Sequence, residues 1–178
     1  ARRGEELAKD TCTSCHNPNG LTTDPATMPS VTGQPGGPPE FSRGIAGFDW
    51  KAGDEAVMAV HDYGAMLDQF ALMKRRWGIV TRTVTVPLDP RTDDDVVQVY
   101  ADAITPKTRL LMVCHMINIT GHILPVRKIC DMAHGKGVKV LVDGAHAYGH
   151  FRYRIDALNC DYYGTSLHKW MSVPLGAG

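Results

Sequence analysis

The 178-residue sequence lacks net charge: 19 Lys+Arg stand against 19 Asp+Glu, and only 21% of residues are charged. A nucleic-acid module held by phosphate contacts needs a basic excess, and a disordered acidic chain needs a high net charge. Neither class fits. No run approaches the roughly 18 apolar residues of a membrane span, so no membrane partner is expected. The opening Ala1-Arg2-Arg3-Gly4-Glu5-Glu6 has no apolar stretch after its basic pair, and no export signal is expected there. Internal repeats are missing too. The five cysteines are an odd number, so a disulfide framework is not expected at this size. Cys114, Cys130 and Cys160 are isolated and are expected to be buried free thiols.

What is present falls into two compositions. Between Asn17 and Gly44 there are six prolines and five glycines in 28 residues, with only Asp24, Glu40 and Arg43 charged. Such a stretch sustains neither a helix nor a strand. Residues 36–44 read as a Gly/Pro-rich junction. After Gly44 the pattern becomes regular. The apolar run Ala56–Val60 reads as a strand. Met66–Trp77 reads as a helix, with Met66, Phe70, Met73 and Trp77 on one face and Lys74-Arg75-Arg76 near its C-terminus. Ile79–Val86 alternates as a strand. Asp93–Ile104 opens on three aspartates and is helical. Arg109–Cys114 is a strand, Pro125–Gly135 a helix with proline first and glycine last, Val138–Val142 a strand and Cys160–Thr165 another.

Strands alternating with ten-residue helices predict an α/β fold, a mostly parallel sheet flanked by helices. Ligands of such sheets bind at the carboxyl ends of the strands. Those ends carry His61-Asp62-Tyr63-Gly64, His115-Met116-Ile117-Asn118, Asp143-Gly144-Ala145-His146 and Ser166-Leu167-His168-Lys169. Each residue alone has an ordinary explanation as a turn, cap or solvated side chain. Together they suit one cofactor. A buried lysine forms a Schiff base with an aldehyde, as pyridoxal phosphate requires. A carboxylate such as Asp143 keeps the ring nitrogen protonated. At about 4 Å and an effective dielectric near 20, that pair interacts by roughly 4 kcal/mol. Ser166 and His168 offer donors to a phosphate, and Tyr63 offers a flat face to the ring.

Val142-Asp143-Gly144-Ala145-His146-Ala147, followed by Asp161-Tyr162-Tyr163-Gly164-Thr165-Ser166-Leu167-His168-Lys169-Trp170, resembles the cofactor signature of class V aminotransferases. These fold-type-I enzymes include cysteine desulfurases and isopenicillin N epimerase. The resemblance runs from about Gly44 to Gly178 and implies a partial large domain over 45–178. By position, Lys169 would be the Schiff-base lysine and Asp143 the partner of the ring nitrogen. His146 stands where many members carry Gln, near the phenolic oxygen. Ser166 and His168 would bind phosphate. The His115–Gly121 segment resembles the one whose Asn, here Asn118, lies on the phenolic side. Tyr63 would stack on the ring, with His61 as the competing candidate. The resemblance implies an amino-acid substrate, epimerase, lyase or transaminase chemistry, a homodimer and a cytoplasmic setting. The family's small domain with its substrate-binding arginine has no counterpart, so independent activity of this chain is not expected.

Residues 1–35 suggest something else. Cys12-Thr13-Ser14-Cys15-His16 has the form of a haem c attachment motif, with His16 as an axial ligand. A zinc site would be one ligand short. The segment resembles class I c-type cytochromes, and Met28 is a weak sixth-ligand candidate beside the simpler role of loop filler. This alternative implies electron transfer and a periplasmic setting. A natural fusion of the two pieces is not expected, so the sequence reads as a fragment or a composite.

Overall fold

The structure is a computed structural model that describes Ile45 and residues 47–173. Its centre is a five-stranded, wholly parallel sheet in the order β2-β1-β3-β4-β5. The strands are β1 (Glu55–Ala59), β2 (Val80–Val84), β3 (Thr108–Cys114), β4 (Lys139–Asp143) and β5 (Tyr162–Gly164). Between them run α1 (Gly64–Trp77), α2 (Asp93–Ala103) and α3 (Val126–Gly135), and a short α4 (Leu167–Trp170) follows β5. The predicted fold class is the observed one. The expected segments 1–35 and 36–44 lie outside the described residues. Among the described residues no helix is long and apolar enough to cross a membrane.

The central strands read as continuous apolar runs because both of their faces are covered. Alternation divides them between two cores. Val57, Leu111, Val113, Val140 and Val142 pack with Val96 and Tyr100 of α2 and with Val126, Ile129, Cys130 and Ala133 of α3. Ala56, Met58, Leu110, Met112 and Leu141 point the other way, onto Met66, Phe70 and Met73 of α1 and onto Trp50. Each large aliphatic side chain so buried contributes about 1.5–3 kcal/mol.

The helix ends follow local chemistry. The N-cap of α2 is Thr92, whose hydroxyl accepts from Asp95 N while the Asp95 carboxylate accepts from Thr92 N at 2.9 Å. Helix α1 stops at Gly78, whose φ of 68° is left-handed and whose N–H donates to Lys74 O at 3.0 Å. Pro125 is the N-cap of α3 rather than its first residue.

Three expectations change. Trp77 is 48% exposed, because the covered face of α1 ends at Met73. Strand β2 is shorter than Ile79–Val86 and Val80 is exposed, since this edge strand pairs only with β1. Cys114 and Cys130 are buried free thiols, but Cys160 is only half-buried beside the short edge strand β5.

Candidate active site

The strand order reverses between β1 and β3, and a crevice opens above their carboxyl ends at such a reversal. There the chain places Asp62 and Tyr63 after β1, His115 after β3, Asp143 at the last position of β4 and Lys169 in α4.

Asp143 is 5% exposed. It pairs in register with Cys114 on one side and Gly164 on the other, so the sheet itself fixes its backbone. Its carbonyl accepts from His115 N at 2.8 Å, and its carboxylate accepts from Ala145 N at 2.9 Å. Burial raises its pKa, while the Ala145 N–H and the Lys169 charge pull it down. The chain then turns tightly. Ala147 N and Tyr148 N both donate to Gly144 O, at 3.0 and 2.9 Å, which folds His146 back over the rim. Gly144 is required here because any Cβ would overlap the Tyr163 hydroxyl and ring.

His146 meets Lys169: Nε2 and Nζ are 3.0 Å apart. Both groups are half-buried. Desolvation lowers the Lys169 pKa, opposed by the negative charge of Asp143. His146 is lowered by desolvation, by Lys169 and by His150. Lys169 Nζ also lies 5.4 Å from the centre of the Tyr63 ring. Asp143, His146, Tyr63 and Lys169 are therefore one group. The direct polar neighbour of the amine is the imidazole, and Asp143 acts on it through space.

His115 is buried and its pKa is pushed down to about 4 by desolvation. Its ring stands edge-on to Tyr153 at 4.5 Å and to Phe151 at 5.3 Å, and Nδ1 lies 3.4 Å from the Tyr163 hydroxyl. The Tyr153 and Tyr163 hydroxyls are bonded to each other. Ser166 is the N-cap of α4 and makes no side-chain capping bond. The Nδ1 atoms of His168 and His61 are buried with no hydrogen-bond partner among the described residues. Asn118 is exposed in the turn after β3. Cys12, Cys15, His16 and Met28 lie outside the described residues.

The sequence did not single out Asp62, Cys114, Tyr153 or Tyr163 as site residues. Asp62 is 5% exposed and accepts from Ala59 N at 2.7 Å, while its other oxygen has no nitrogen or oxygen donor among the described residues and only the weakly donating Cys114 thiol beside it. Burial and the nearby Asp143 push its pKa up to about 6, against the Ala59 N–H and Cys114. A carboxylate between two strand-end residues was the available signal. Tyr153 carried none, because the loop that delivers it has no periodic pattern.

The residues present fit pyridoxal phosphate in two respects. Asp143 is a buried carboxylate suited to a protonated ring nitrogen, and His168 offers a buried imidazole nitrogen with no protein partner.

A family model for Aminotransferase class-V matches residues 41–178. Isopenicillin N epimerase from Amycolatopsis lactamdurans is 38% identical over 128 residues, 71% of this chain and 32% of that protein. A cysteine desulfurase from Cronobacter sakazakii is 35% identical over 127 residues, 71% of this chain and 30% of that protein. Among solved structures, the cystine C-S lyase C-DES in complex with its product cysteine persulfide superposes with a TM-score of 0.69 at 31% identity, covering 74% of this chain and 35% of that one. The same lyase is also known with glycine covalently linked to its PLP cofactor. The chain thus spans about a third of the length of the relatives it matches. The matched region stops short of the Cys12–His16 motif, and none of these relatives supports a cytochrome reading. From the family match, the shared parallel sheet and the rim just described, the chain belongs to the class-V aminotransferase family.

Proposed function

We infer that this chain carries the pyridoxal-phosphate site of an amino-acid enzyme, with Lys169 as the residue that bonds the cofactor. The observation that carries the reading is a buried Asp143 on the same rim as a desolvated Lys169, whose pKa is lowered toward the neutral amine that attacks an aldehyde. The bound cofactor would supply an electron sink for a carbanion at the substrate Cα. Asp143 would hold the ring nitrogen protonated. Ser166 and His168 would hold the phosphate, and the unpartnered Nδ1 of His168 supports that role. Tyr63, already over the Lys169 amine, would cover the ring face, and His115 would stay neutral at physiological pH because burial depresses its pKa. Asn118 and His146 would face the phenolic side.

The proposed branch is amino-acid epimerase or lyase chemistry, supported by the 38% identity to an isopenicillin N epimerase. Lys169, once released, would move the proton at the substrate Cα. Homodimerisation and a cytoplasmic setting belong to the same proposal. The test is incubation with pyridoxal phosphate, borohydride reduction and peptide mass spectrometry. The expected label sits on Lys169 and is lost in Lys169→Ala. A label elsewhere, or none, overturns the assignment.

A further inference from the structure

The 3.0 Å approach of the His146 imidazole to the Lys169 amine is more than a packing contact. The amine must be neutral to attack a carbonyl carbon. An ammonium held at 3.0 Å from an imidazole nitrogen has an acceptor for its surplus proton within hydrogen-bond reach. We propose that His146 is the proton-exchange partner of Lys169, taking a proton from Nζ when the amine is needed and returning it afterwards. In the forward step one N–H bond breaks at Nζ and one forms at Nε2, and the positive charge moves from the ammonium to the ring. The reverse step restores both. Nε2 accepts only in the tautomer that carries its hydrogen on Nδ1.

Desolvation lowers the Lys169 pKa, which favours release of its proton, and it lowers the His146 pKa as well, so the ring holds that proton only transiently and hands it on rather than forming a fixed ion pair. The titratable groups facing Lys169 are Asp143 from the end of β4 and the Cys114 thiol from the end of β3, which burial keeps protonated, with the Tyr63 ring from just before α1 beside its amine. Those acting on His146 are Lys169 from α4 and His150 from its own turn. His150 is exposed and its ring lies tilted against Trp170, with centroids 4.3 Å apart, so the turn carrying His146 also carries an imidazole in contact with solvent. The inference rests on Lys169 being the reactive amine, and its test separates the two ideas.

The first measurement is an NMR titration of the His146 ring in the 178-residue chain without cofactor, compared with Lys169→Gln. Removing the neighbouring ammonium should raise the His146 midpoint, because Lys169 is one of the groups that lower it. An unmoved midpoint overturns the pair. The second is the rate at which added pyridoxal phosphate becomes borohydride-fixable, followed from pH 6 to 9 in wild type, His146→Gln and His146→Asn. Gln keeps a hydrogen bond but cannot take up a proton. Both variants should capture about 100-fold more slowly at the acid end and still end with the label on Lys169. Equal rates and equal pH profiles overturn the exchange role. If wild type itself takes no label at Lys169, the cofactor reading falls, and the titration alone then judges the pair.

Discussion

Strand β1 has a buried carboxylate at its start and another just beyond its end, and the two are treated in opposite ways. Glu55, at the amino rim, accepts from Arg82 at 2.6 and 3.0 Å, from the Thr105 hydroxyl at 2.6 Å and from the Thr108 hydroxyl at 3.4 Å. Its pKa is lowered, first by the Arg82 hydrogen bonds and then by Thr105. Asp62, at the carboxyl rim, has one oxygen with no nitrogen or oxygen donor among the described residues, only the weak Cys114 thiol, and burial raises its pKa to about 6. The amino rim satisfies its buried carboxylate with a guanidinium and two hydroxyls. The carboxyl rim leaves titratable groups short of partners, which is the condition of a site that binds or moves protons.

The common scaffold of the two rims is the most costly part to damage. Leu111→Ala, in the middle of β3, should destabilise by about 2–5 kcal/mol in urea unfolding and disturb both rims together. The carboxyl rim alone is probed by Asp62→Asn. A carboxyl whose folded pKa lies above its ordinary 3.8 stabilises the fold at low pH, and that contribution disappears as the pH rises through about 6. Asn can still accept the Ala59 N–H, so the variant should be about 2–3 kcal/mol more stable than wild type at pH 8 and no more stable below pH 4. A loss of stability at pH 8 would equate the two rims and remove the contrast. Gly144→Ala forces its Cβ into Tyr163 and should cost about 1–3 kcal/mol, with a red-shifted or broadened tyrosine spectrum.

His115 gives an effect of opposite sign to Asp62. Its folded pKa of about 4 lies below its ordinary 6.5, so stability falls as the pH drops through that window. His115→Phe should flatten the acid limb of a Tm-against-pH curve, whereas Asp62→Asn should steepen it. In wild type the two windows overlap and partly cancel. The smallest effect is expected at the amino rim. Glu55→Gln should lower Tm at neutral pH, with the difference from wild type vanishing as the pH falls through the depressed pKa of Glu55.

Much of this was legible in the chain itself. The apolar runs 56–60 and 109–114 were readable as strands, whereas the division of Val57, Leu111 and Val113 from Leu110 and Met112 between two cores came from the structure. The βα rhythm implied parallel strands, and the rule that ligands sit at carboxyl ends picked out Asp143, His146 and Lys169 before any distance was known. What escaped were residues whose role depends on neighbours far away in sequence. Trp77 continued the spacing of α1 but has no layer above it. Asp62 looked like an ordinary turn residue until β3 and β4 brought Cys114 and Asp143 beside it.

Local pattern was sufficient for the strands, the helices and the shortlist of rim residues, because periodicity and capping act over a few neighbouring positions. The pairing of His146 with Lys169, the overlap that makes Gly144 necessary and the opposite fates of Glu55 and Asp62 arose from the order in which the strands assemble. Desolvation and Coulomb terms depend on distance through space, and 23 residues separate His146 from Lys169 along the chain.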